Sequence, residues 1–163
     1  MIRTALLLAV ATLGPLHSQQ RDVFKVDFTI RDSGDAGSKS GRKYSLLVYA
    51  QNKGTFKVGN RVPVATSSSG GVGANTQFTY VDVGVNIDCT VQETGGRIAM
   101  RADMDLSTAV TNEKTAGMAP TISSIRLSVE AAIPPGKPTV VAAFDDPVTS
   151  RKFEVEAVVT KVN

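Results

Sequence analysis

From Thr79 to Val91 every second residue is apolar or small: Thr79, Val81, Val83, Val85, Ile87, Cys89 and Val91. The residues between them are Tyr80, Asp82, Gly84, Asn86, Asp88 and Thr90. A period of two places one set on each face of an extended chain, so this stretch can only bury itself as a β-strand with one dry face. Thr94-Gly95-Gly96 follows, and then Ile98, Met100, Ala102, Met104 and Leu106 alternate with Arg97, Arg101, Asp103 and Asp105. Two long amphipathic strands joined through a Gly-Gly turn form a β-hairpin.

The same alternation recurs along the chain. Phe24, Val26, Phe28 and Ile30 alternate with Lys25, Asp27, Thr29 and Arg31, and Tyr44 to Ala50 is apolar and strand-like. A short strand is expected over 54–59. Val62-Pro63-Val64-Ala65 reads as an edge strand or a strand end, because Pro63 has no N–H to donate to a ladder. Ile125 to Ile133, Thr139 to Phe144 and Phe153 to Val159 complete the set. Loops are expected over 32–42, 66–75 and 107–120, and turns at Pro134-Pro135-Gly136 and Asp145-Asp146-Pro147. The fold class is all-β, an antiparallel sandwich or curled sheet of about eight or nine strands.

The first twenty residues have a different character. Met1-Ile2-Arg3-Thr4 is a short positive head, 5–13 is an uncharged apolar run, and Gly14-Pro15 would break any helix it forms. This is the layout of a secretory signal peptide, and the run is too short to span a bilayer. No cysteine follows it, which argues against lipoprotein processing. The division expected is therefore 1–20 signal peptide, 21–53 N-terminal strands with a Gly/Ser-rich loop, and 54–163 the main β-domain. An exported chain ends in the periplasm, at the outer membrane or outside the cell. After residue 20 no segment is a candidate transmembrane helix.

Removal of the leader takes away His17, the only histidine, and Arg3, lowering the formal charge from +3 to +2. That surface is too weakly basic to argue for nucleic acid. Without histidine the usual serine and cysteine triads and the commonest zinc ligand are gone. Cys89 is the single cysteine and lies on the apolar face, so it reads as a buried small hydrophobe with no disulfide partner in the chain. Asp88, Asp103 and Asp105 would supply too few oxygens for calcium. Gly70-Gly71-Val72-Gly73 lacks the Lys-Ser/Thr and helix of a phosphate loop. No enzyme activity, cofactor or metal is expected.

Several segments taken in order resemble the β-domain of secretins, the outer-membrane channels of bacterial secretion systems. Phe56 to Val64, with Val58, Gly59 and Pro63, is similar to the family's "apolar-x-Val-Gly-x-x-x-Pro" segment. Tyr80, Val83 and Gly84 match its "Tyr-x-x-Val-Gly-apolar-x-apolar" strand, and 96–107 looks like the return strand that ends in a serine, here Ser107. Pro120 with Ile122 resembles the Pro-x-Ile segment, and Gly136 with 137–141 the "Gly-x-x-apolar-apolar" turn and strand. Ala142-Ala143-Phe144 stands where secretins carry a Gly-Gly pair, and no Leu-Gly and Pro-rich membrane-lip segment follows. The N-terminal ring-forming domains are also absent from these 163 residues. These departures count against a gate and against membrane insertion.

The resemblance implies a non-enzymatic structural or assembly protein of the envelope, which self-associates or docks on an envelope partner. Unpaired edge strands would supply the interface. The candidates are Phe24, Val26, Phe28 and Ile30, and then Val62 and Val64. The alternative is a stand-alone periplasmic or secreted β-sandwich that binds a ligand through the loops 32–42, 66–75 and 107–120.

Overall fold

The computed structural model describes residues 21–33, 41–67, 77–110, 120–147 and 150–162, with the side chains of 65–67 and 110 excepted. The expected leader and most of the three expected loops lie outside these residues. Eight strands are present among them: β1 (Val23–Asp32), β2 (Arg42–Tyr49), β3 (Lys53–Ser67), β4 (Gln77–Thr94), β5 (Arg97–Val110), β6 (Thr121–Ile133), β7 (Thr139–Asp145) and β8 (Lys152–Val162). They form two antiparallel four-stranded sheets, ordered β2-β1-β8-β7 and β3-β4-β5-β6. The strands on either side of residue 54 thus share a sheet, since β1 and β2 join β8 and β7.

Alternation decides which side of each strand is dry. In the first sheet Phe24, Val26 and Phe28 of β1 and Val155, Ala157 and Val159 of β8 are completely buried. They face Ile87, Cys89 and Val91 of β4 and Ile98, Met100 and Ala102 of β5. Each large side chain so enclosed contributes about 1.5–3 kcal/mol relative to exposure. Thr94 pairs with Arg97 across a two-residue loop in which Gly95 and Gly96 both have positive φ, 59° and 76°. Those angles belong to a type I′ turn, which matches the twist of the strands it joins.

Three expectations change. The stretches 54–59 and 62–65 are one continuous strand, β3, which carries Pro63 opposite Tyr80. Residues 107–110, expected to open a loop, extend β5, and 121–124 extend β6 ahead of the expected start at Ile125, pairing from Ser107↔Ser124 to Val110↔Thr121. Most important, Phe24, Val26, Phe28 and Ile30 are not on an edge. β1 is hydrogen-bonded to β2 on one side and to β8 on the other. Period-two alternation reveals a strand with one buried face, but both interior and edge strands of a two-layer sandwich have that pattern. The rank of β1 in its sheet depends on β8, more than a hundred residues away in the chain. The edges are β2 and β7 in one sheet and β3 and β6 in the other, so Val62 and Val64 lie on an edge strand.

Candidate functional site

Among the described residues two features of the fold are available for function: a fork in the second sheet and the four sheet edges. The fork is built from strand length. β4 is 18 residues long, yet its register with β5 runs only from Val85↔Leu106 to Thr94↔Arg97. Ahead of Val85, β4 continues with β3 alone, and beyond Leu106, β5 continues with β6 alone. The sheet therefore divides into two ribbons. Along the β3–β4 ribbon exposure rises, with Phe78 57 % and Tyr80 64 % exposed.

The fork closes on five residues that the sequence motifs single out: Val58, Gly59, Val83, Gly84 and Ser107. Gly59 stands opposite Gly84 across β3 and β4. Gly84 has φ 150°, and a methyl group there would overlap the Val58 carbonyl oxygen and the Gly59 Cα. A methyl on Gly59 would in turn overlap the Val83 carbonyl oxygen. Ser107 occupies the position where the next ladder residue would pair. The Gly84 N–H donates to its hydroxyl at 3.0 Å, and the same hydroxyl donates to the Gly84 carbonyl at 3.4 Å. One side chain thus satisfies both backbone groups that the parting strands would leave unpaired. The other motif residues are not gathered there. Pro63 and Tyr80 face each other farther along the ribbon, Pro120 precedes β6, and Gly136 sits in the turn at the other end of β6.

Between the ribbons runs a groove of about 510 Å³, with Val81, Val83, Ser107 and Ile122 along its walls. Arg61 pairs with Asp82 at 3.0 Å and Arg126 with Asp105 at 2.8 Å at its rim. The carboxylates weighed as calcium ligands are engaged elsewhere. Asp88 accepts from Lys53 at 2.6 Å and from the Thr55 hydroxyl at 2.8 Å, and the Lys53 ammonium holds its carboxyl below the usual range. Asp103 and Asp105 accept from Ser128 and Ser124 across the β5–β6 ladder. Among the described residues no group of three or more metal-ligating side chains lies together.

Cys89 is 1 % exposed and burial pushes its thiol up to about 12. A thiol so placed holds almost no thiolate at neutral pH and is not a nucleophile. The folded chain is expected to resist iodoacetamide at pH 8 over hours and to react fully in denaturant. Rapid alkylation without denaturant would show that the core opens there.

The edges differ in chemistry. On the solvent face of β2 stand Lys43, Ser45, Leu47 and Tyr49, the last two 65 % and 55 % exposed. On the same face of β7 stand Val140, Ala143 and Asp145, with Val140 52 % exposed. The interior of that face is laced by ion pairs, including Arg31 with Glu154 at 2.6 Å and Glu156 at 3.3 Å. The Glu154 carboxylate is the chief reason the Arg31 guanidinium is raised above its ordinary value. In the sequence both strands read only as apolar stretches, so their solvent faces and their places at the edges come from the structure.

Among solved structures, ExeD from Aeromonas hydrophila superposes with a TM-score of 0.60 at 12 % identity, over 88 % of this chain and 49 % of ExeD. The secretin-domain β-barrel of InvG from the Salmonella SPI-1 injectisome gives 0.53 at 14 %, over 87 % of this chain and 62 % of that one. GspD in the ETEC pilotin–secretin AspS–GspD complex gives 0.53 at 12 %, over 87 % and 47 %. At such identities the likeness is one of fold, and this chain spans about half to three fifths of those proteins. No curated protein matches the sequence. Residues 38–144 match the Secretin family, described as bacterial type II and III secretion system protein, and with two thirds of its length so matched the chain belongs to that family.

Proposed function

We propose that the chain is a non-catalytic wall unit of a bacterial envelope assembly serving protein secretion, and that its copies join edge to edge into a closed ring. The observation that carries this reading is the sheet order. Among the described residues each sheet has four strands of alternating direction and two edges without a further strand. A neighbour related by rotation about a ring axis therefore adds its first strand antiparallel to the last strand of the copy before it. Such head-to-tail contact closes when the rotation divides a full turn, and closure abolishes the edges. A long unpaired edge on a soluble chain is otherwise a template for aggregation.

Family membership supports a structural role in secretion and an envelope location. The inert Cys89 and the paired carboxylates support a role without catalysis. An envelope partner is the natural complement to self-association, as GspD is solved with the pilotin AspS. Among the described residues no helix is long and apolar enough to cross a membrane, so any insertion would use strands.

Light scattering on the purified chain, with and without liposomes, is expected to give one defined high-order species. A clean monomer at every concentration would exclude the wall reading. It would leave the groove between the ribbons as the site of a stand-alone binding module.

A further inference from the structure

The edge-to-edge reading leaves open which strands meet and in what register. We propose that the joint in the first sheet is a full-length antiparallel pairing of β2 with the β7 of the next copy, staggered by two side-chain rows so that Lys43 faces Asp145. The occupant of each of these edges is thus a second copy of this chain, and the proposal rests on the assembly described above.

The stagger follows from the register inside one copy. Lys43 is level with Thr29, Thr29 with Glu156, and Glu156 with Val140. If the next copy continued the sheet at that level, only the first few residues of β2 would meet the first few of β7. Leu47 and Tyr49 would overhang the start of β7 at Thr139, and Asp145 would overhang the start of β2. Asp145 stands two rows on from Val140, the rows on the neighbouring strand being those of Glu156, Glu154 and Lys152 in turn. Moving the next copy by those two rows brings Lys43 to Val48 of β2 alongside the whole of β7. A sheet closed into a barrel needs such a stagger, because its strands must tilt to the axis.

Once aligned, the side chains match on both faces. On the solvent face Lys43 meets Asp145, Ser45 meets Ala143, and Leu47 lies over Val140. The irregularity at Val141 absorbs the odd residue. Opposite charges and apolar pairs directly across an antiparallel ladder are stabilising. On the inner face Tyr44 meets Phe144 and Leu46 meets Ala142. Both aromatic rings are only half-buried in the single copy. Tyr44 lies against Phe56 with ring centres 5.7 Å apart, and Phe144 is stacked on Phe153 at 5.2 Å. The joint would continue these two contacts into one aromatic row across the seam. The basic residues of β2 are at its start and the acid of β7 is at its end, so antiparallel pairing in this register unites them.

The test uses the purified full chain in oxidative cross-linking, with buried Cys89 left in place. The double variant Lys43→Cys/Asp145→Cys is expected to give a ladder of covalent multimers, and Lys43→Cys/Val140→Cys only monomer. Charge reversal gives an independent readout on exposed positions that do not hold the core. Lys43→Glu alone and Asp145→Lys alone are each expected to lose the high-order species at concentrations where the unaltered chain forms it, and the two together to regain it. A ladder from the Val140 combination overturns the stagger while leaving the wall reading intact. So does an unaltered chain that assembles while neither double variant cross-links and neither reversal matters. An unaltered chain that is monomeric ends the wall reading, and this proposal with it.

Discussion

Ile87→Asp is expected to leave the chain unfolded or insoluble. Ile87 is completely buried between the sheets, opposite Phe56 on one side and Met104 on the other. Those neighbours offer no hydrogen bond, so a carboxylate placed there must either stay charged without a partner or protonate. Both routes cost several kcal/mol, and the lost apolar burial adds about 2 kcal/mol more. The sum is comparable with the whole stability of a typical domain, about 5–15 kcal/mol. Three residues along the same strand, Thr90→Asp is expected to be nearly neutral. Thr90 is on the other face, between Lys53 and Arg101 in the register. Opposite charges across the ladder offset the poorer β-propensity, leaving a change within about 1 kcal/mol. Circular dichroism and urea midpoints on both variants decide the matter. Equal behaviour of the two would mean that the faces of β4 are wrongly assigned.

Gly84→Ala is expected to cost about 3 kcal/mol or more and to disturb the fork. Two independent effects add there. A φ of 150° is a conformation that L side chains rarely adopt, and the new methyl would run into the backbone of Val58 and Gly59. Backbone cannot step aside as a flexible side chain does, so β3 and β4 must part or β4 must rotate. Rotation would also break the hydrogen bonds to Ser107. Gly136 supplies the control, because it has φ 68° but open space around the position of a methyl. Gly136→Ala is expected to cost about 1–2 kcal/mol, the conformational penalty alone. A urea titration that gives the same loss at 84 and 136 would show that the close approach of β3 and β4 carries no energy.

These variants separate what local pattern conveys from what it does not. The alternation of Ile87, Cys89 and Val91 and the Gly95-Gly96 turn are local facts, and each was legible because period and turn chemistry act over a few residues. The motif residues were legible as well, but not their meeting. Nothing in the strings around Gly84 and Ser107 says that they bond to each other. That contact exists only because β4 and β5 stop pairing at Val85 and Leu106. β3, β5 and β6 also run farther than the local pattern marks. Pro63 allows either an edge strand or a strand end, and the structure takes the first, with the ladder to β4 running on through it.

By itself, then, the sequence determined that this chain forms amphipathic strands, where the hairpin turns, that Cys89 is buried, and that its segments follow the order of secretins. It did so because hydrophobic period, turn residues and motif order are all written in neighbouring positions. Only the tertiary structure decided the rank of each strand. Phe24 to Ile30 lost its candidacy as an edge because β8 returns from the far end of the chain to cover it. β2 and β7 became edges for the same reason, since a strand's place in a sheet is set by long-range pairing that leaves no local trace in its own side-chain pattern.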